Sequence, residues 1–210
     1  NGINARECEE EFPVVVKLTR KELLEKIEEM NGLGRLSYHL IGDILIINLK
    51  GPEEEEKARV TASFLMNQLK NIKSVYGKIG TFDEFRLPRL IHLGGEKKTF
   101  TIAKEYNLYF AVDIARAFYN PRLADEHRRV ALEIKNGSLV LDMFSGVGGF
   151  CIHIATSIKG EVHCNDINPY AVSLMNISVI MNSKKLLSPV YTWNLDAREL
   201  PNRLNRKFDV

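Results

Sequence analysis

Between residues 38 and 49 the chain reads YHLIGDILIINL, a run rich in aliphatic and β-branched positions and interrupted by Gly42-Asp43. That pattern predicts a pair of short strands, or one bent strand, with the break as its turn. Upstream, Lys21 to Met30 (KELLEKIEEM) follows Thr19, spaces its apolar residues at helical intervals and stops at Asn31-Gly32, which predicts a short surface helix. Pro52 and the acids Glu53 to Glu56 open a second helix, expected to run to about Asn71. Proline at the start and acids at the positive end of the helix dipole both suit that position, so the acidic run reads as a solvated helix start rather than a metal site.

From Ser74 to Asp113 three stretches (SVYGKIG, EFRLPRLIHLGG and KTFTIAKEYNLYFAVD) are strand-like, with glycines and Asn107 at the turns, and a small antiparallel sheet is expected. Leu123 to Ile134 is an amphipathic helix begun after Pro121 and closed by Asn136-Gly137. The text then changes character, and a second domain is expected from residue 137.

Composition narrows the class. The 210 residues are 45% hydrophobic and 27% charged, and mean hydropathy is −0.16, as expected of a globular chain of one or two domains. No apolar run approaches the roughly 18–20 residues of a membrane-spanning helix. Lys+Arg number 29 against 27 Asp+Glu, a net +2 that argues against a polyanion-coating protein. Cys8, Cys151 and Cys164 are odd in number and without CxxC spacing. Neither a disulfide framework nor a zinc knuckle is expected, and a reducing cytoplasm is the expected compartment. The chain begins at Asn1 without a signal-like segment, so residues are expected to have been removed upstream.

The chemistry concentrates after residue 138. Leu139 to Phe150 (LVLDMFSGVGGF) is a buried-strand run, a turn containing Gly146 and Gly148, and the start of a helix. A strand entering a glycine turn and a helix is the nucleotide-cradling unit of doubly wound α/β folds. A second strand, EVHCND, ends in Asp166, twenty residues after Gly146, where a carboxylate is placed to accept bonds from both hydroxyls of a ribose. A third, Val190 to Trp193, leads to Asp196, placed to accept from an adenine amine. Dinucleotide enzymes put GxGxxG directly after the strand to seat a pyrophosphate. Here the strand ends in Asp142, which repels a pyrophosphate but suits an ammonium group, so S-adenosylmethionine fits better than NAD.

At these residues the sequence resembles the class I S-adenosylmethionine-dependent methyltransferases, and more narrowly the archaeal and eukaryotic tRNA (guanine-N1)-methyltransferases acting on guanosine 37. The resemblance runs from about residue 36 to 210 through YHLIGDILII, FDEFRLPRLIHLGGE, FAVDIARAFYNPRLADE, LDMFSGVGGF and NDINPYAV, in that order. The wyosine-pathway aminocarboxypropyl transferase shares much of this pattern; Met143 and Val147 favour the methyltransferase.

The resemblance implies an N-terminal segment (1–35), a small α+β RNA-presenting domain with a linking helix (36–136), and a Rossmann-like cofactor domain (137–210) truncated after its third strand. It places cofactor contacts on Arg122, Phe144, Asp166, Asn168 and Asp196, beside the Asp142, Gly146 and Gly148 read from the turn. It also places a general base on Glu126 and a guanine-polarising cation on Arg86. The partner it implies is the anticodon loop of tRNA; a cytoplasmic monomer is expected, no metal-ligating residues are assigned, and metal dependence is left open. A carboxylate that takes the N1 proton and a cation at O6 have the right chemistry for this reaction.

Each residue also has a plain structural alternative. Glu126 is an acid in a first helical turn, Arg86 is a strand cation open to a surface ion pair, and Asp142 and Asn168 are potential caps. Two departures stand out. The family's Asn-x-Pro turn lies beyond Val210, and its Glu-Arg pair is Glu126-His127 here. A non-catalytic RNA-binding fragment is the alternative from another class. Its support is the strands missing from a full methyltransferase sheet. RNA contact itself is expected from a basic set (Arg86, Arg89, Lys97, Lys98, Lys104, Arg116, Arg122, Arg128, Arg129) interleaved with Phe85, Tyr106, Tyr109, Phe118 and Tyr119, whose plain alternative is a basic surface over an aromatic core.

Overall fold

A computed structural model describes residues 37–82 and 87–210, with Thr81 and Phe82 by backbone alone, together with Glu22, Glu25, Lys26 and Glu29. Those four residues are helical and exposed, as the polar face of the predicted 21–30 helix requires; the apolar half of that helix lies outside the described residues.

Strands β1 (Tyr38–Ile41) and β2 (Ile44–Leu49) form an antiparallel hairpin. Its turn passes through Gly42 at φ 56°, and a Cβ added there would lie 2.6 Å from the backbone oxygen of Ile102. Glycine is needed both for the left-handed backbone and for the close approach. A 3₁₀ turn, Pro52–Glu54, then leads into α1 (Glu55–Gln68), which ends short of the expected Asn71 because Leu69 leaves helical geometry. Crossing over the sheet, α1 delivers β3 (Ser74–Phe82) parallel to β2, and β4 (Leu87–Gly95) returns antiparallel to β3.

The result corrects the single antiparallel sheet expected over 74–113. Strands β3 and β4 complete a four-stranded mixed sheet of order β1-β2-β3-β4, while β5 (Phe100–Glu105) and β6 (Leu108–Asp113) form a separate hairpin. A helical crossover returns the chain in the same direction, so β2 and β3 pair in parallel.

Burial on both faces accounts for the near-continuous apolar text of β2, interrupted only at the half-buried Asn48. Ile44 and Ile46 enter one cluster with Phe110, Val112, Ile152 and Leu174. Leu45, Ile47 and Leu49 enter another with Ala58, Ala62 and Leu65 of α1, as the two-residue strand period dictates.

After the 3₁₀ turn Pro121–Leu123 come α2 (Ala124–Glu133), β7 (Leu139–Asp142), α3 (Gly149–Ala155), β8 (Glu161–Asn165), α4 (Pro169–Asn182), β9 (Val190–Trp193) and α5 (Leu200–Leu204). The last three strands are parallel in the order β7-β8-β9. On the other edge of β7, Asp209 donates to the carbonyl of Leu139 and Leu141 donates to that of Val210, both at 2.9 Å. That placement follows the 3-2-1-4 order of the doubly wound fold. Val140, Ile154, Val162 and Met175 fill the core between this sheet and its helices.

The β5–β6 hairpin, grouped by sequence with the preceding domain, packs on α4. Ala111 donates its backbone N–H to Ser178 Oγ (2.9 Å), and the buried amide of Asn182 accepts from Tyr109 N–H (3.0 Å) and donates to Tyr109 C=O (2.6 Å). Side chains thus satisfy an edge that would otherwise expose ladder groups.

Against the cysteine expectation, Cys151 on α3 and Cys164 on β8 are joined as a disulfide with Cα atoms 6.2 Å apart. Tertiary packing, which spacing does not report, brings them together. Among the described residues no helix is long and apolar enough to cross a membrane.

Candidate active site

Parallel strands end with their carboxyl edges on one side of the sheet, and in open α/β folds the ligand crevice forms there. Asp142 closes β7, Asp166 follows β8, and Asp196 lies in the loop after β9. Between the first two runs the glycine turn, with Gly146 at φ 55° and Gly148 at φ 93° as the N-cap of α3.

Asp166 faces this turn. Its Oδ2 accepts the N–H of Gly146 at 2.8 Å, and its Oδ1 accepts that of Asn168 at 2.9 Å. Two backbone donors therefore fix the carboxylate expected to hold a ribose. Asn165, unmarked in the sequence, is buried and locks the loops on either side. Its Nδ2 donates to the carbonyls of Met143 and Leu195, and its Oδ1 accepts from Leu195 N–H.

Asp142 accepts from the N–H of Phe144 at 3.1 Å. Burial pushes its carboxyl above the ordinary Asp value, the charge of Asp166 adds to this, and hydrogen bonds from Phe144 and Ser145 oppose it. Met143 and Phe144 form the exposed lip, with Phe144 73% accessible.

Asn168 N-caps α4 by accepting from Tyr170 N–H and donates to the carbonyl of Arg116. Asp196 caps the 3₁₀ turn Ala197–Glu199 and pairs with the Arg198 guanidinium, whose hydrogen bond lowers its carboxyl to about 2. Both residues thus carry a capping role at the positions assigned to cofactor contacts.

Glu126 occupies the first turn of α2, half exposed, and its two oxygens accept from Arg129 at 2.6 and 2.8 Å. Arg129, which also bonds Glu133 at 2.6 Å, lowers the Glu126 carboxyl from its usual value. Arg122 lines a cavity of about 160 Å³ with His39, Lys78, Tyr119 and Asn120. Burial lowers the His39 imidazole there, followed by the charges of Arg122 and Lys78. A neighbouring cavity of about 100 Å³ brings Phe144 and Gly146 together with Tyr119 and His127. Arg86 and Phe85 lie outside the described residues.

Behind the second cavity is a polar cluster that the sequence did not signal. Glu105, His127 and His153 are 2%, 6% and 4% exposed. Glu105 Oε2 lies 2.8 Å from His127 Nδ1 and 3.0 Å from His153 Nε2, and Oε1 accepts from the Tyr119 hydroxyl at 2.8 Å. Burial alone would raise the Glu105 carboxyl; the hydrogen bonds from both imidazoles and from Tyr119, with the charge of His127, outweigh it and bring the group to about 2. The one available signal was a histidine between Ile152 and Ile154 on an otherwise apolar helix.

The basic and aromatic side chains of the expected RNA face are partly paired with one another. Arg128 stacks over Tyr106 at 4.5 Å, Lys104 over Tyr109 at 5.7 Å, and Arg116 over Tyr170 at 4.8 Å. Lys98 is instead drawn into a 2.5 Å bond with Asp43, which leaves it committed within the fold.

Comparison with known proteins places these features. Residues 101–209 match the family described as "TRM5/TYW2 methyltransferase domain", and residues 20–99 match that described as "TYW2 N-terminal domain". The tRNA (guanine(37)-N(1))-methyltransferase Trm5b of Methanocaldococcus jannaschii is 34% identical over 203 residues, which cover 94% of this chain and 58% of that protein. The solved complex of aTrm5 and tRNALeu superposes with a TM-score of 0.72 at 34% identity, over 87% of this chain and 55% of that one. The structure of Pyrococcus horikoshii TYW2 in complex with MeSAdo superposes with a TM-score of 0.65 at 26% identity, over 86% and 62%. The chain spans somewhat over half the length of the archaeal Trm5b relatives and 25% and 28% of the matched Plasmodium knowlesi and Arabidopsis thaliana methyltransferases.

Proposed function

The chain belongs to the TRM5/TYW2 methyltransferase family, and we propose that the protein containing it transfers a methyl group from S-adenosylmethionine to N1 of guanosine 37 in tRNA. The observation that carries this reading is the carboxyl edge of three adjacent parallel strands, where Asp142 ends the first, Asp166 follows the second and Asp196 lies in the loop after the third, with the Gly146–Gly148 turn bonded to Asp166. Asp142 is suited to the ammonium of the methionine moiety, Asp166 to the ribose hydroxyls and Asp196 to the adenine amine. Gly146 and Gly148 let the backbone approach the ligand. Phe144 and Arg122, which line two neighbouring cavities, and Asn168, which caps α4, are assigned to the same cofactor, S-adenosylmethionine.

Glu126 is the proposed base. Its carboxylate would take the N1 proton, and bound S-adenosylmethionine would supply the methyl group to the freed N1 lone pair, the broken carbon–sulfur bond leaving a neutral thioether. Arg86 is assigned to O6, where a cation stabilises the charge that builds as the proton departs. The base must be unpaired and turned out of its stack to expose N1, so the anticodon loop is the natural substrate. The cavity lined by Lys78 and Arg122 offers two cationic groups, with the His39 imidazole, lowered by burial and by their charge, beside them. A cytoplasmic monomer fits this work.

A second reading, aminocarboxypropyl transfer to a wyosine precursor, is favoured by one observation: residues 20–99 match a domain named for TYW2. Nucleoside mass spectrometry separates the two. The full-length protein, incubated with S-adenosylmethionine and tRNA carrying unmodified guanosine 37, should yield a guanosine heavier by one methyl. A product bearing the larger group, or none while S-adenosylhomocysteine still binds, would refute the methyl-transfer reading.

A further inference from the structure

We propose that Glu105, His127 and His153 form a binding site for a divalent transition-metal ion of the zinc class. Two imidazoles and one carboxylate are a recurring three-ligand set for zinc, with bonds of about 2.0–2.2 Å and ligand atoms therefore about 3.3 Å apart in a tetrahedron. Here the three donor atoms all lie within 4.8 Å of one another, and the carboxylate oxygen is 2.8 and 3.0 Å from the two nitrogens. The two carboxylate–imidazole separations need open by only a few tenths of an ångström, while the imidazole nitrogens, within 4.8 Å of each other, must settle to the same spacing. No local sequence constraint gathers these residues, because they come from β5, α2 and α3.

The surroundings suit a metal as well as the donors do. All three side chains are buried, where ionisable groups are costly unless paired or metal-bound. Tyr119 holds Glu105 Oε1, so that Oε2 is the oxygen turned to both imidazoles, the kind of outer hydrogen bond that orients a ligating carboxylate. Apolar rings close the sides: Phe110 stacks on His153 at 5.9 Å, and Phe150 meets His127 edge-on at 4.6 Å. Gly149 makes room for the His127 ring, since a Cβ there would lie 2.5 Å from its Cε1. His127 also borders the cavity that reaches Gly146, which leaves a direction open for a fourth ligand such as water. An ion held here would fasten together the hairpin, the helix that carries Glu126, and the helix that opens after the glycine turn.

The test uses the full-length protein, stripped with a chelator and then equilibrated with zinc or cobalt(II) alone. One equivalent of zinc should survive desalting, cobalt(II) should give the intense visible absorption of a tetrahedral site, and the thermal midpoint should rise with metal concentration. Glu105→Gln and His153→Gln should each abolish retention. Tyr119→Phe, which removes only the outer hydrogen bond, should weaken affinity about 10- to 100-fold. If the stripped wild type retains no zinc and its midpoint is unmoved, the three residues are only a hydrogen-bonded knot and the proposal fails. Retention unchanged in both Gln variants would place the metal elsewhere and overturn it equally. These readouts do not depend on the methyl-transfer reading.

Discussion

The carboxylate of Glu126 is gripped by the guanidinium of Arg129, three residues further along α2, through bonds of 2.6 and 2.8 Å. The proposed base is therefore held in an ion pair that lowers its proton affinity. A base works only when ionised, so its activity falls as pH drops through its pKa. Arg129→Ala should raise that pKa and move the acid limb of the kcat/KM profile to higher pH. Glu126→Gln should slow single-turnover methylation by about 10²–10⁴-fold while leaving S-adenosylhomocysteine affinity intact. An unmoved acid limb in the first variant, or full single-turnover speed in the second, removes Glu126 from the chemistry.

Asp142 should trade stability against binding. Its carboxyl is raised by burial, so the folded state holds this proton more tightly than the unfolded chain does. Its favourable contribution is present below the unfolded pKa and is lost as pH rises through the higher folded value. Asp142→Asn should therefore melt at a higher temperature than the wild type at neutral pH, and the gap should close on acidification. The same change should weaken S-adenosylhomocysteine binding by about 10- to 100-fold, through loss of a charge-assisted hydrogen bond. A variant less stable at neutral pH would contradict the desolvation argument.

Asp43 has the opposite sign. Hydrogen bonds from Lys98 and Thr101 outweigh burial and lower its carboxyl. It stabilises the fold above its unfolded pKa, and that contribution disappears as pH falls through the folded value. Asp43→Asn should flatten the acid side of the stability curve measured by denaturant titration; an unaltered curve would mean the Lys98 pair is neutral in effect.

Asn182 should matter more than its place at a helix end suggests. It is 1% exposed and satisfies both backbone groups of Tyr109. Asn182→Ala leaves those groups unpaired and should cost about 1–3 kcal/mol in chemical denaturation. A cost below ~0.5 kcal/mol, the range of ordinary surface changes, would show that water replaces the amide freely.

Asp166→Ala should weaken S-adenosylhomocysteine binding, measured by calorimetry, more than Asp166→Asn does. The Ala variant also frees the N–H groups of Gly146 and Asn168 that the carboxylate holds. Equal affinities in wild type and both variants would refute the ribose assignment.

What the sequence revealed was local. The run from Leu139 to Phe150 and the acids after β7 and β8 were legible because strand, turn and helix follow one another within a few residues. The parallel pairing of β2 with β3 was not, because it depends on α1 carrying the chain back across the sheet. Glu105 and His153 lie 48 residues apart and meet only through packing, as do Cys151 and Cys164. Asn168 shows a different limit, since the residue that caps a helix and the residue that borders a ligand are written with the same letter.

Strand β2 has a consequence for how substrate and cofactor meet. Its Ile44 and Ile46 share a cluster with Ile152 and Leu174, while Leu45 and Ile47 on the same strand are held by α1. The four-stranded sheet and the helix that follows the glycine turn thereby share one apolar core. In the proposed reaction the sheet and the glycine turn are then expected to keep their relation while the RNA distorts, so that unstacking of the base contributes to the energetic burden of alignment.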